Sequence, residues 1–169
     1  MFDNDIVETA REVLELCGSK TLKIATAESC TGGLVAGALT EIAGSSAVVD
    51  RGFVTYSNQA KHDMLGVPES TLRQFGAVSR ETAEAMVTGA LAHAPVDLAI
   101  SITGIAGPKS DDSQKPVGLV HFVAASQSGQ LSHVEKQFGN PGRAEIRRLS
   151  VLQALAMLKE LAKKEPARG

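Results

Sequence analysis

The 169-residue sequence is poor in cysteine, aromatic residues and excess charge, and each shortage excludes a class of protein. Two cysteines are too few for a disulfide framework, and no CxxC or Cys/His cluster suggests structural zinc. The formal charge of −2 lacks the basic excess of a nucleic-acid or anionic-membrane binder. The absence of tryptophan and the aromatic fraction of 4% disfavour stacking platforms for single-stranded bases. We therefore expect neither a nucleic acid nor a membrane as partner.

Signals for export or membrane insertion are also missing. The first twenty residues are acidic and amphipathic, without the basic and apolar regions of a signal peptide. No apolar run approaches the roughly 20 residues of a membrane span. Together with the small number of cysteines, this predicts a cytoplasmic protein. The length and a hydrophobic content of 43% predict one folded domain over residues 1–169.

Alternating helical and strand patterns predict an α/β protein. Apolar residues at three- and four-residue steps predict helices over 4–17, 34–42, 58–65, the segment between Ser79 and Pro95, and 143–163, with a short helical turn over 69–75. Strands are predicted over 21–27, 47–57 and 97–104, followed by a hairpin of 117–126 and 130–138. This order predicts a three-layer structure in which a mixed sheet carries helices on both faces.

Two polar, glycine-containing loops each follow an apolar strand. They are ESCTGG (28–33) and TGIAGP (103–108). Ligands of open α/β sheets bind beyond the carboxyl ends of the parallel strands. If the two strands are parallel neighbours, both loops line one cleft.

The first loop places Ser29, Cys30 and Thr31 at the start of a predicted helix, followed by Gly32 and Gly33. The glycines let a ligand approach the backbone, and the free N–H groups of the helix start can hold an oxyanion or a phosphate. Alternatively, Ser29 or Thr31 only caps the helix. Cys30 is a rival nucleophile, because a helix N-terminus acidifies a thiol, but no histidine is paired with it by motif.

Other candidate residues lie near the end of the second strand and at the start of the last helix. Tyr56 and Lys61 belong to a polar group there, and a desolvated lysine can act as a neutral base toward a serine. A solvated surface lysine is the alternative. Arg143, Arg147 and Arg148 oppose the dipole of the helix that they begin, which suggests that at least one meets an anionic ligand. None of the four histidines has metal or triad spacing.

Four segments in order make the sequence resemble a known family. They are ATAESCTGGLVAGALTEIAGSS, GFVTYSNQAKHDMLGV, GAVSRETAEAM and SITGIAGP. Over about residues 4–163 the chain resembles the CinA C-terminal domain family of competence-damage-inducible proteins. The resemblance implies an α/β fold and hydrolysis of the carboxamide of nicotinamide mononucleotide, giving nicotinic acid mononucleotide and ammonia in the recycling of NAD. It implies no cofactor and no metal, and we expect a homo-oligomer.

The family's serine and lysine fall on Ser29 and Lys61, which implies a Ser–Lys mechanism with Tyr56 as a further catalytic residue. The resemblance assigns substrate binding to both loops and to one arginine: Glu28, Cys30, Thr31, Gly32, Gly33, Thr103, Gly104, Ala106, Gly107 and Arg143. Two segments depart from the family, since residues 109–113 replace a common glycine-rich run and GNPGR replaces GDR. A nucleotide-binding or regulatory module without turnover is the alternative function.

Overall fold

A five-stranded mixed sheet forms the centre of the protein in the computed structural model, which describes residues 1–169. The strands are β1 (Ile24–Glu28), β2 (Val49–Val54), β3 (Leu98–Gly104), β4 (Leu119–Ser126) and β5 (Leu131–Gln137). Their spatial order is β2-β1-β3-β4-β5, with β1 parallel to both β2 and β3 and with antiparallel pairing from β3 through β5. The predicted hairpin is therefore confirmed as β4–β5.

Six helices cover the two faces of the sheet. They are α1 (Asn4–Ser19), α2 (Leu34–Thr40), α3 (Asn58–Leu65), α4 (Glu69–Phe75), α5 (Arg80–His93) and α6 (Arg143–Lys164), with one 3₁₀ turn at Ser45–Ala47. Helices α1, α2 and α6 bury the larger apolar core against one face, and α3 and α5 bury a smaller core against the other. The predicted three-layer α/β architecture is confirmed.

The central strand β3 is buried along its length because its alternating side chains enter both cores. Ile100 and Ile102 pack in the larger core and Ala99 in the smaller one, which explains the continuous apolar run. Strand β1 begins at Ile24 rather than at the predicted Thr21. Thr21 has a positive φ of 57°, and the Leu22 N–H donates to the carbonyl of Cys17, so this segment is the turn that ends α1.

Parallel pairing of β1 with β3 brings the two loops together. Glu28 at the end of β1 is in register with Ile102 of β3, and the Ser29 N–H donates to the Ile102 carbonyl over 2.9 Å. The loops after both strands therefore emerge at one edge of the sheet, as the sequence predicts for parallel neighbours. None of the helices combines the length and the apolar character needed to cross a membrane.

Candidate active site

A cavity of about 160 Å³ lies where the loops after β1 and β3 meet. It is lined by Ser29, Cys30, Tyr56, Lys61, Ala77, Val78, Thr103, Gly104, Ala106, Asp111 and Arg143. Larger depressions of about 350 to 590 Å³ occur elsewhere on the surface, but none of them is lined by a buried lysine. The buried lysine therefore identifies the smaller cavity as the candidate active site.

Lys61 is the most unusual side chain of this cavity because it is buried, with only 1% of its surface exposed. Helix α3 begins after Ser57, whose hydroxyl accepts a hydrogen bond from the Ala60 N–H, so the helix carries Lys61 in its first turn. The Lys61 Nζ lies 3.0 Å from the Ser29 Oγ. No carboxylate contacts the amine, and burial lowers the pKa of Lys61 from 10.5 to about 8.

Two backbone carbonyls fix the orientation of the amine. The Lys61 Nζ donates to the carbonyl of Thr55 over 2.9 Å and to the carbonyl of Tyr56 over 3.2 Å. A neutral amine has two hydrogens, and both are taken by these carbonyls. Its lone pair then faces the Ser29 hydroxyl, which donates to it. This arrangement suits proton transfer from serine to lysine. The alternative that Lys61 is a solvated surface lysine is therefore wrong.

Ser29 does not cap helix α2. The residue before the helix is Gly33, with φ 97°, and no side chain caps the helix from that position. The Thr31 hydroxyl is buried and has no partner in the chain. The alternative that Ser29 or Thr31 is a helix cap is therefore wrong, and the Ser29 hydroxyl is available to Lys61.

Glu28 takes the capping role instead. Its carboxyl group is fully buried, with Oε1 accepting from the Val35 N–H over 2.9 Å and Oε2 accepting from the Ala36 N–H over 3.0 Å. Oε2 also accepts from the Thr26 hydroxyl over 3.1 Å. The carboxyl group of Glu28 therefore caps α2 and does not line the cavity, in contrast to the substrate-binding role that the resemblance implies. It fixes the helix that follows the nucleophile loop.

This capping also corrects the expected oxyanion site. The amides of Val35 and Ala36 at the start of α2 are occupied by Glu28, so they cannot face a ligand. In contrast, the N–H group of Cys30, which lines the cavity, donates to no other residue of the chain. This amide adjoins Ser29 and is the available donor for an oxyanion.

The thiol of Cys30 lines the cavity but is poorly suited to attack. Burial raises the pKa of Cys30 to about 12, so the thiol is protonated near neutral pH. The thiolate is the nucleophilic form of cysteine, which disfavours Cys30 as the rival to Ser29.

The three arginines of α6 have different surroundings. Arg143 lies at the cavity, where Nη1 donates to the Gly107 carbonyl over 2.7 Å and Nη2 to the Tyr56 hydroxyl over 3.1 Å. Arg147 donates from Nε to the carbonyl of Cys30 over 3.1 Å and so holds the nucleophile loop. Arg148 forms ion pairs with Glu145 and Asp3, away from the cavity.

Tyr56 contributes to the site through its backbone as well as its ring. Its side chain is 60% exposed at the rim of the cavity, while its carbonyl accepts from Lys61.

The second loop shapes the opposite wall. The buried Thr103 hydroxyl donates to the Ala77 carbonyl over 2.7 Å, which fixes the segment of Ala77 and Val78 against the cavity. Gly104 is required there, since a Cβ atom at this position would lie 2.7 Å from the Val120 side chain. Four assigned residues do not line the cavity: Thr31, Gly32, Gly33 and Gly107.

Three residues that line the cavity were not predicted from the sequence. Ala77 and Val78 are apolar and carry no chemical signal, although they lie in the GAVSRETAEAM segment of the resemblance. Asp111 lies in the segment that departs from the family. Arg147 was a candidate for contact with an anionic ligand, but its hydrogen bond to the Cys30 carbonyl spans 117 residues of sequence and could not be predicted from a local pattern.

The fold and the cavity define an α/β protein with a buried serine–lysine pair beyond the carboxyl ends of its parallel strands. Residues 7–162 match the family model of the CinA C-terminal domain, and the chain belongs to this family.

Similar proteins cover nearly the whole chain. The nicotinamide-nucleotide amidohydrolase PncC of Enterobacter agglomerans is 44% identical over 163 residues, which are 96% of this chain and 99% of that protein. PncC of Escherichia coli K12 is 44% identical over 94% of this chain and 95% of its own length. The crystal structure of the competence/damage inducible protein CihA from Agrobacterium tumefaciens has a TM-score of 0.93 and 55% identity, covering 95% of this chain and 98% of that one.

Proposed function

We propose that this protein is an amidohydrolase that converts nicotinamide mononucleotide to nicotinic acid mononucleotide and ammonia. The relatives named nicotinamide-nucleotide amidohydrolase support it at 44% identity over nearly their full lengths. The observation that carries the proposal is the buried Lys61 amine, 3.0 Å from the Ser29 hydroxyl and oriented by two carbonyls.

In the proposed reaction, neutral Lys61 takes the hydroxyl proton of Ser29 while Oγ attacks the carboxamide carbon. The N–H group of Cys30 hydrogen-bonds to the oxyanion of the tetrahedral intermediate. The Lys61 ammonium then gives its proton to the departing nitrogen, which leaves as ammonia. A water molecule then attacks the acyl group on Ser29 while Lys61 takes one of its protons. Lys61 returns this proton to Oγ as the ester bond breaks, which releases the carboxylic acid and restores the Ser29 hydroxyl and the neutral amine.

The size of the cavity restricts which part of the substrate it holds. At about 160 Å³ it is smaller than the ~300–1,000 Å³ of typical ligand pockets. The carboxamide end of the substrate therefore enters the cavity, and the ribose phosphate lies at its mouth. Arg143 is exposed there, and its charge is not paired with a carboxylate of the chain, so we assign the phosphate to Arg143 and to the amides of Gly104, Ala106 and Gly107. The Ile105 amide is excluded, because it donates to the Leu119 carbonyl over 2.9 Å.

The test is ammonia release from nicotinamide mononucleotide, measured with the purified protein and with the Ser29→Ala variant. We expect steady release by the wild type and loss of nearly all of it in the variant. A nucleotide-binding or regulatory module would instead bind the mononucleotide to saturation and yield no product.

We also propose a setting for this activity: one domain over residues 1–169 that acts in cytoplasmic pyridine-nucleotide salvage as a homo-oligomer. The free cysteines Cys17 and Cys30 suit a reducing compartment. The sheet has two open edges, where Val54 of β2 and Leu131 of β5 are about half exposed. Light scattering coupled to size-exclusion chromatography measures the oligomeric state directly, and a monomer at working concentration would contradict this part of the proposal.

A further inference from the structure

The cavity contains one carboxylate, Asp111, beside the two basic side chains Lys61 and Arg143. Asp111 belongs to the loop at residues 109–113 that departs from the family. None of the ion pairs of the chain includes Asp111 or Arg143. Both charges are therefore available to a bound ligand.

The loop holds Asp111 by contacts at several points. The Asp111 Oδ1 accepts from the Ser113 N–H over 2.9 Å and from the Ser113 hydroxyl, while Oδ2 has no partner in the chain. Lys115 donates from Nζ to the carbonyls of Phe75 and Val78, and Val78 is itself part of the cavity wall. These contacts connect the loop to the wall and leave one oxygen of the carboxylate for a ligand.

The proposed substrate supplies a matching charge. The ring nitrogen of nicotinamide mononucleotide is bonded to the ribose, so the ring that bears the carboxamide is a pyridinium cation, and the phosphate is an anion. Arg143, and Lys61 when protonated, repel the ring cation. A carboxylate at the cavity offsets this repulsion.

Resting on the proposed function, we infer that Asp111 is a specificity-determining residue that selects amides carrying a cationic pyridinium ring over uncharged amides. Arg143 and Asp111 then recognise the two opposite charges of one zwitterionic substrate. Asp112, the next residue, is also exposed but does not line the cavity, which makes it a matched control.

The experiment compares Asp111→Asn with Asp112→Asn on two ligands that differ in ring charge. The ligands are nicotinamide mononucleotide and its reduced form, which keeps the phosphate and the carboxamide but has an uncharged dihydropyridine ring. Asp111→Asn is expected to raise KM for the oxidised mononucleotide about tenfold and to leave the inhibition constant of the reduced form unchanged. Asp112→Asn should change neither value. Because Asp111 is exposed, both variants are expected to melt within a few degrees of the wild type.

Two results would overturn the inference: equal weakening of both ligands by Asp111→Asn, or no change for either ligand. Calorimetric Kd values for the same ligands and variants distinguish a failure of the inference about Asp111 from a failure of the proposed function. A wild type that releases no ammonia contradicts the amidohydrolase. The ratio of the two Kd values, and its loss in Asp111→Asn, still decides whether Asp111 selects for ring charge.

Discussion

Activity is expected to rise with pH because Lys61 must be neutral to accept the serine proton. With its pKa lowered to about 8 by burial, about 9% of the amine is neutral at pH 7 and about 90% at pH 9. At the ordinary pKa of 10.5, only ~0.03% would be neutral at pH 7. Burial thus raises the reactive fraction about 300-fold at pH 7, and kcat/KM should rise about tenfold between pH 7 and 9.

The assay measures kcat/KM for ammonia release across this range in the wild type and two variants. Lys61→Met should be inactive at every pH. Lys61→Arg should be nearly as inactive, because a guanidinium stays protonated and cannot accept the proton. Lys136→Met, a substitution of an exposed lysine on β5, is the control and should keep the wild-type profile. A flat profile, or substantial activity in Lys61→Arg, would refute the general-base role and leave Lys61 as a fixed positive charge.

The same burial affects the stability of the fold. Between about pH 8 and 10.5 the unfolded chain binds more protons at Lys61 than the folded chain, so the free energy of unfolding rises with pH, by up to ~3 kcal/mol. Urea unfolding at several pH values should show this rise in the wild type. Lys61→Met should lack this component, because it has no amine to titrate.

Three further substitutions test the remaining roles. Ser29→Ala should lose nearly all turnover with a stability change of about 1 kcal/mol, since the hydroxyl bonds only to Lys61; activity lost instead in Cys30→Ala would assign the nucleophile to the thiol. Arg143→Ala should raise KM for the mononucleotide and affect free nicotinamide much less, and equal losses on both would exclude a phosphate contact. Glu28→Gln should lower both the melting temperature and kcat, because one amide of α2 loses its carboxyl acceptor at a cost of ~1–3 kcal/mol. A variant with the wild-type melting temperature and kcat would contradict the positioning role of Glu28.

The sequence predicted the elements that place the serine and the lysine. Apolar runs identified β1 and β3, and the segment over 58–65 identified α3, because burial and helical spacing are local properties of the chain. The pairing of Ser29 with Lys61 was predicted from the family resemblance and not from a local pattern, because the contact spans 32 residues of sequence.

Other features of the site could not be predicted from local patterns. Glu28 reaches the amides of α2 from seven and eight residues away, across the loop that joins β1 to α2, so the contact lies within neither a helix nor a strand. The sequence shows a carboxylate beside a serine, and only the fold reveals that the strand ends with this side chain turned toward the helix. The contact of Arg147 could not be predicted for a similar reason. Three arginines lie near the start of α6, but their side chains have different partners: Gly107 for Arg143, Cys30 for Arg147 and Asp3 for Arg148.

The two reacting groups are held by parts of the sheet with different mechanical support. Ser29 follows β1, which is paired on both sides and buried, whereas Thr55, Tyr56 and Lys61 follow β2, an edge strand paired only with β1 and largely exposed. Fraying of that edge would carry the base away from the serine while the centre of the sheet stayed folded. The protein would then lose its reactive pair through a local opening that costs less free energy than unfolding the domain.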